Sequence, residues 1–157
     1  MSRTARIILA VLRVALGWVF LYAGITKLMN PAWSAAGYLT HAQAFTGLYG
    51  WFASSANIGW VNAVNEWGLT LLGVSLILGI GVRLSSVLGI GLMALYYLPL
   101  GFPHPSATAY IVDEHVIYAS VLLLFAVLRA GRAHGLDAWC ADLTICRRFP
   151  RLYAWFG

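Results

Sequence analysis

Charge is what this sequence has least of. Asp, Glu, Lys and Arg together make up 10% of its 157 residues, with five acids among them, against 61% hydrophobic. That balance lies far outside the soluble globular average, so the chain is read as a single integral membrane domain. Cysteine is almost absent as well. The two present, Cys140 and Cys146, lie close to the C-terminus at a spacing that matches no common metal or redox motif, and they offer no disulfide framework. Internal repeats and low-complexity tracts are missing. The basic residues form no patch with interleaved aromatics, which excludes a nucleic-acid partner.

What is present is apolar length. Spanning a bilayer takes about 20 mostly apolar residues, and residues 6–29, 62–81, 84–101 and 111–130 meet that requirement. The expected fold is all-α, an integral membrane four-helix bundle over residues 1–139, followed by a basic aromatic tail at 140–157 that lies on anionic lipid. The first run is too long for a signal-peptide core and lacks a small-x-small cleavage site, so it is read as a retained helix. Arg3 and Arg6 precede it, Arg83 sits in the turn between the second and third spans, and Arg129, Arg132, Arg147, Arg148 and Arg151 follow the fourth. Residues 30–61 carry no Asp, Glu, Lys or Arg. The positive-inside rule then places both termini in the cytoplasm of a multi-pass plasma-membrane protein, with both thiols in the reducing compartment.

The connections are also patterned. Asn30-Pro31 ends the first span. Residues 31–60 contain Trp33, Tyr38, Phe45, Tyr49, Trp51, Phe52 and Trp60, too aromatic for a disordered loop, and are expected to form short interfacial helices on the outer face. An anchoring aromatic belt is the favoured reading of them, and a ligand-gating lid the alternative. Gly68, Gly73, Ser75, Gly79, Gly89 and Gly91 permit close helix approach. The short turn at 81–86 makes the second and third spans antiparallel neighbours. Tyr96, Tyr97 and Pro99 form an outer collar, Pro103, His104 and Pro105 carry the chain back across the surface, and Asp113 caps the last span.

One stretch breaks the apolar rule. Arg13, Gly17, Phe20, Gly24 and Lys27 fall at i, i+4, i+7, i+11 and i+14 in the first span, so they share a stripe that should face protein. Charges at such positions are costly enough to mark function when partners exist.

Arg13-x3-Gly17, Tyr22-x-Gly24-x2-Lys27-Leu28, then Glu66, Gly73, Arg83, Glu114 and the closing Gly131-Arg132-x2-Gly135-Leu136-Asp137 resemble the DoxX/DoxD family of small membrane proteins. The resemblance implies an up-down four-helix bundle. For the DoxD branch it implies the membrane subunit of a thiosulfate:quinone oxidoreductase, which joins two thiosulfates into tetrathionate and reduces quinone. The fuller enzyme has a second, extracytoplasmic portion that is not in this sequence, so another membrane or extracytoplasmic subunit is an expected partner. A noncatalytic accessory subunit of a larger electron-transfer complex is the alternative. A transporter is disfavoured by the absence of broken helices and repeats.

That chemistry needs positive charge for a dianion and titratable groups for two protons. Lys27, Tyr22 and Arg13 are the substrate-side candidates; Glu66, Glu114 and His115 are the catalytic ones, on an outer-leaflet cavity. The competing readings are structural: Lys27 pairs with Glu66 or snorkels, and His115 is an interfacial hydrogen-bonding residue. Arg13 lies roughly 20 Å from Lys27 along the helix, too far to share one small ligand. Either it snorkels past Arg6 to the inner headgroups, or a carboxylate, carbonyl or quinone oxygen meets it inside. Quinone is the expected electron acceptor. No metal is predicted, and haem is not expected, since His41 and His104 are in loops, His134 is in the tail and only His115 is near a helix interior. A thiol-disulfide route has no outer-side cysteine to run on.

Overall fold

A computed structural model describes residues 1–101 and 110–140. Seven α-helices occur among them: α1 (Arg3–Leu28), α2 (Ala36–Thr40), α3 (Thr46–Ala53), α4 (Ile58–Leu78), α5 (Val82–Tyr97), α6 (Glu114–Leu128) and α7 (Leu136–Cys140). Single 3-10 turns follow α5 at Leu98–Leu100 and α6 at Ala130–Arg132, and the described residues contain no strand. α1, α4 and the run Val82–Leu100 are long and apolar enough to cross a membrane, and α6 is a shorter apolar helix of 15 residues. The protein is an all-helical, multi-pass membrane bundle.

Several boundaries differ from the hydropathy reading, for local reasons. α4 begins at Ile58 instead of 62, because Ile58 and Val61 are drawn into a small apolar core with α2 and α3. α6 begins at Glu114 instead of 111, where Asp113 Oδ1 accepts the Val116 amide at 3.1 Å and so fixes the first turn. It stops at Leu128 instead of 130, because Arg129 takes a left-handed backbone conformation with φ 49°. The expected surface-lying tail beyond Cys140, the thiol side chains of Cys140 and Cys146, and the 102–109 crossing lie outside what the structure describes.

α1 packs along α4, and α5 along α6, with α4 and α5 joining the two pairs. The shared core is made by Leu9, Leu16 and Phe20 of α1, Leu69, Leu72 and Leu76 of α4, Val82 and Met93 of α5, and Leu122 and Phe125 of α6. Between α1 and α4 the backbones nearly touch. A methyl group on Gly73 would collide with the Leu21 main chain, and one on Gly24 with the main chain of Thr70. Without a hydrophobic drive in lipid, such close contact is how helices gain packing energy. Ile8, Val11, Trp18, Leu71, Leu88 and Val127 point outward, as a lipid-facing surface requires.

Residues 31–60 do form short helices. α2 and α3 enclose a second core of Ala35, Leu39 and Tyr49, flanked by Trp33 and Phe52. This cap is tied to the end of α5 at three carbonyls. The Tyr38 hydroxyl donates to the Tyr96 carbonyl, the Tyr49 hydroxyl to that of Leu95 at 2.9 Å, and the Gln43 amide to that of Pro99 at 2.7 Å. The last carbonyls of a helix have no partners within it, so the cap completes α5 as much as it covers the bundle. A further tie, from the Ala35 amide to Asn62 Oδ1 at 2.9 Å, holds it to α4.

Candidate functional site

At the end of the bundle where α1 starts, Arg13 is buried, with 1% of its surface exposed. Nη1 donates to the carbonyl of Ala130 at 2.6 Å and to that of Ala133 at 3.3 Å, and Nη2 donates to His134 at 3.4 Å. The carbonyl version of the sequence expectation therefore holds, and snorkelling does not. Once α6 ends at Arg129, the chain folds back beneath the bundle and its carbonyls converge on the guanidinium. Asp137 completes this arrangement from the other side. Its Oδ1 accepts the Gly81 amide at 2.8 Å and its Oδ2 the Val82 amide at 3.2 Å, capping α5, while its own amide donates to Gly79 at 2.8 Å. Burial pushes the Asp137 carboxyl above its ordinary range, against the opposing pull of the two amides and the Arg13 and Arg132 charges.

The glycines of this motif are small because the space is already taken. At Gly79, with φ 70°, a methyl group would strike Arg13 Nη1, and at Gly131 it would strike the Asp137 carboxylate. This end of the molecule is an architectural clasp.

At the opposite end the predicted residues are dispersed. Lys27 is half-buried and its Nζ lies 5.2 Å from the centre of the Trp33 ring, a cation–π contact. Glu66 acts on it through its charge but makes no ion pair within 4.0 Å. Tyr22 is 62% exposed and points out of the bundle. Glu114 is exposed in the first turn of α6, where its charge suits the helix dipole.

His115 is different. Its Nδ1 lies 2.6 Å from Asp113 Oδ2, and its ring stands edge-on to Tyr96 with centroids 5.5 Å apart. It also lines an open apolar groove of 340 Å³ between α5 and α6, together with Ile90, Ala94, Tyr97, Ala119 and Leu123. Small-molecule sites are mostly apolar with a few placed polar groups, and about 300 Å³ is their lower size range. The structure thus gathers His115 with Asp113 and Tyr96, and leaves Lys27, Glu66 and Glu114 elsewhere.

Sequence reasoning passed over Asn65 and assigned Tyr96 to a collar. Asn65 shares the core face of α4 with Leu69, Leu72 and Leu76, at i, i+4, i+7 and i+11, and it is buried. A polar residue on that stripe was the available signal. Among the described residues no group of three or more His, Cys, Asp or Glu is placed to hold a metal.

The family model for DoxX matches residues 8–100, more than half of the chain. The protein belongs to the DoxX family. No curated protein and no solved structure matches it. Within this DoxX protein the match covers the glycine seam, Arg13, Lys27 and Glu66, and also Asn65 and Tyr96. The Asp113–His115 pair and the Gly131 to Asp137 motif lie beyond it, so the clasp joins a family-typical first helix to a segment outside the matched region.

Proposed function

We propose that this DoxX protein is the membrane subunit of a quinone-linked oxidoreductase, seated in the plasma membrane with both termini cytoplasmic, with thiosulfate as the electron donor. The observation that carries the reading is the groove between α5 and α6, largely apolar and bearing in its wall His115, whose Nδ1 pairs with Asp113. A quinone has an apolar tail and a carbonyl head that needs protons as it is reduced, and the groove supplies a matching surface for each. Asp113 accepts from Nδ1–H, which orients the imidazole and leaves Nε2 as the atom for the quinone oxygen. Lys27, Glu66 and Glu114 are not at this groove. They stay candidates for the donor side, in company with a partner subunit.

The test is reconstitution of the chain with a short-tailed quinone and thiosulfate, alone and with partner subunits. Thiosulfate-dependent quinone reduction supports the reading, and His115→Asn should lower it about 100-fold, the scale of a lost acid–base catalyst. No reduction under any of these conditions sinks it. The dispersal of Lys27, Glu66 and Glu114 favours a second reading, a noncatalytic accessory subunit. In that case the chain copurifies with a redox complex whose activity is unchanged by His115→Asn.

A further inference from the structure

The α5–α6 groove has few polar atoms to offer a ligand. Of its lining residues, Tyr97 donates its hydroxyl to the Ile111 carbonyl at 2.8 Å and Ser120 donates its own to the Val116 carbonyl at 2.8 Å, so both are spent inside the fold. His115 commits Nδ1 to Asp113, and among the described residues its Nε2 has no partner. A head group in the groove is therefore met by one nitrogen, and the direction in which that nitrogen points decides what it can do.

A single hydrogen bond does not fix an imidazole. The Asp113 contact, 2.6 Å from Nδ1, holds one atom of a ring whose own torsion is broad, and the side chain is still 20% exposed. The second restraint comes from the facing helix. Tyr96 of α5 stands edge-on to the ring, with centroids 5.5 Å apart and planes at 71°, which is the geometry of a favourable aromatic pair. Tyr96 is itself held from three directions. It packs against the bundle core, the buried Asn65 of α4 reaches its hydroxyl by side-chain hydrogen bonding, and the Tyr38 hydroxyl of the cap donates to its carbonyl.

We propose that Tyr96 is a positioning residue for His115, its ring holding the imidazole so that Nε2 faces the groove. Tyr96 is not in the groove lining, where its neighbour Tyr97 stands instead, so it acts through His115 and not on the ligand. The two contacts divide the work. Asp113 selects which nitrogen carries the proton, and Tyr96 sets where the other one points. The effect on turnover rests on the quinone-linked reading, whereas the effect on the imidazole rests on the fold alone.

The experiment compares Tyr96→Leu, which removes the ring, with Tyr96→Phe, which keeps it. The full chain carries isotope-labelled histidine in lipid nanodiscs without quinone, and the His115 imidazole signals are assigned by their absence from His115→Asn. A single set of signals is expected in the parent and in Tyr96→Phe, and signals doubled or broadened by exchange in Tyr96→Leu. A Tyr96→Leu spectrum like the parent's overturns the proposal. Should Tyr96→Leu fail to fold, Tyr96→Met, unbranched and better able to fill the space, takes its place. Turnover gives the second readout. In the quinone-reduction assay Tyr96→Leu should lower kcat about tenfold with KM changed less than about twofold, and Tyr96→Phe should restore it. A raised KM at the parental kcat would mean that the ring only shapes the groove, and overturns the positioning role. A parent that reduces no quinone, with the His115 signals still split in Tyr96→Leu, removes the quinone-linked reading and leaves this one standing. A working reductase whose His115 signals ignore Tyr96→Leu does the reverse.

Discussion

Arg13 on α1 and the carbonyl of Ala130, 117 residues further along the chain, are joined by a hydrogen bond of 2.6 Å. Two more carbonyls, of Ala133 and His134, meet the same guanidinium. A buried charge is tolerable only when most of its donors are used, and here main-chain oxygens meet both Nη groups while Nε has no partner among the described residues. Arg13→Met should therefore lower unfolding stability by about 3 kcal/mol, the scale of losing charged hydrogen bonds while orphaning their acceptors. Arg13→Lys should recover only part of that, because a compact ammonium cannot match the planar fork. Denaturant or thermal unfolding in detergent measures both, and equal stability of Arg13→Met and the parent would refute the clasp.

The glycine seam makes a sharper contrast. Gly73→Ala forces a methyl group onto the Leu21 backbone, and Gly24→Ala one onto Thr70, so each should cost roughly 1–3 kcal/mol. Gly91→Ala, also mid-helix, meets nothing within 4 Å and should be neutral or stabilising by up to about 1 kcal/mol through helix propensity. Melting temperatures of the three variants, compared side by side, check the contrast. A destabilised Gly91→Ala beside an unaffected Gly73→Ala would contradict the α1–α4 packing.

The cap should loosen when its latches are cut. Tyr38→Phe and Tyr49→Phe each remove one hydroxyl that serves an α5 carbonyl, at about 1 kcal/mol apiece. The expected signature is faster amide exchange over residues 36–53 with α1 and α4 unchanged. Burial pushes the Tyr38 hydroxyl up to about 12, with Tyr49 and Asp113 adding to the shift, so it stays a neutral donor well above the ordinary tyrosine range. In an alkaline ultraviolet titration, the component missing from Tyr38→Phe should be the one that ionises near pH 12.

Asp137 gives a pH dependence of defined sign. Its folded-state pKa is raised above the unfolded value of 3.8, so the fold favours the protonated carboxyl. Stability from this group is complete below about pH 3.8 and declines as pH rises through the folded-state range. Asp137→Asn should flatten that part of the stability profile. It should also weaken the α5 cap, since an amide offers one accepting oxygen where the carboxylate serves the Gly81 and Val82 amides with two. A stability profile above pH 4 unchanged by the substitution would count against this assignment.

How much of this was legible in the residues differs from one end of the bundle to the other. The stripe of Arg13, Gly17, Phe20 and Gly24 was readable because helical period alone decides which residues share a face, and all four are buried. Asp113 was readable as a cap because its chemistry is local, acting three residues away. The partners of Arg13 were not readable, since every residue carries a carbonyl and no side-chain type advertises which ones converge. Depth along the membrane placed Lys27, Glu66, Glu114 and His115 near one level. Angular position around the bundle, which puts His115 on the α5–α6 groove and Lys27 beside Trp33, depends on which helices become neighbours. Single-helix periodicity carries no information about that. Asn65 was hidden by its neighbour, because Glu66 drew attention as the charged residue while the amide occupied the core face.

The clasp also bears on the order of synthesis. α1 leaves the ribosome before α6, and the carbonyls that accept from its buried arginine are made 117 residues or more later. At typical elongation rates that interval is on the order of ten seconds. Throughout it Arg13 must be held by water, headgroups or the insertion machinery, so α1 gains its native partners only after α6 and the turn behind it have been made.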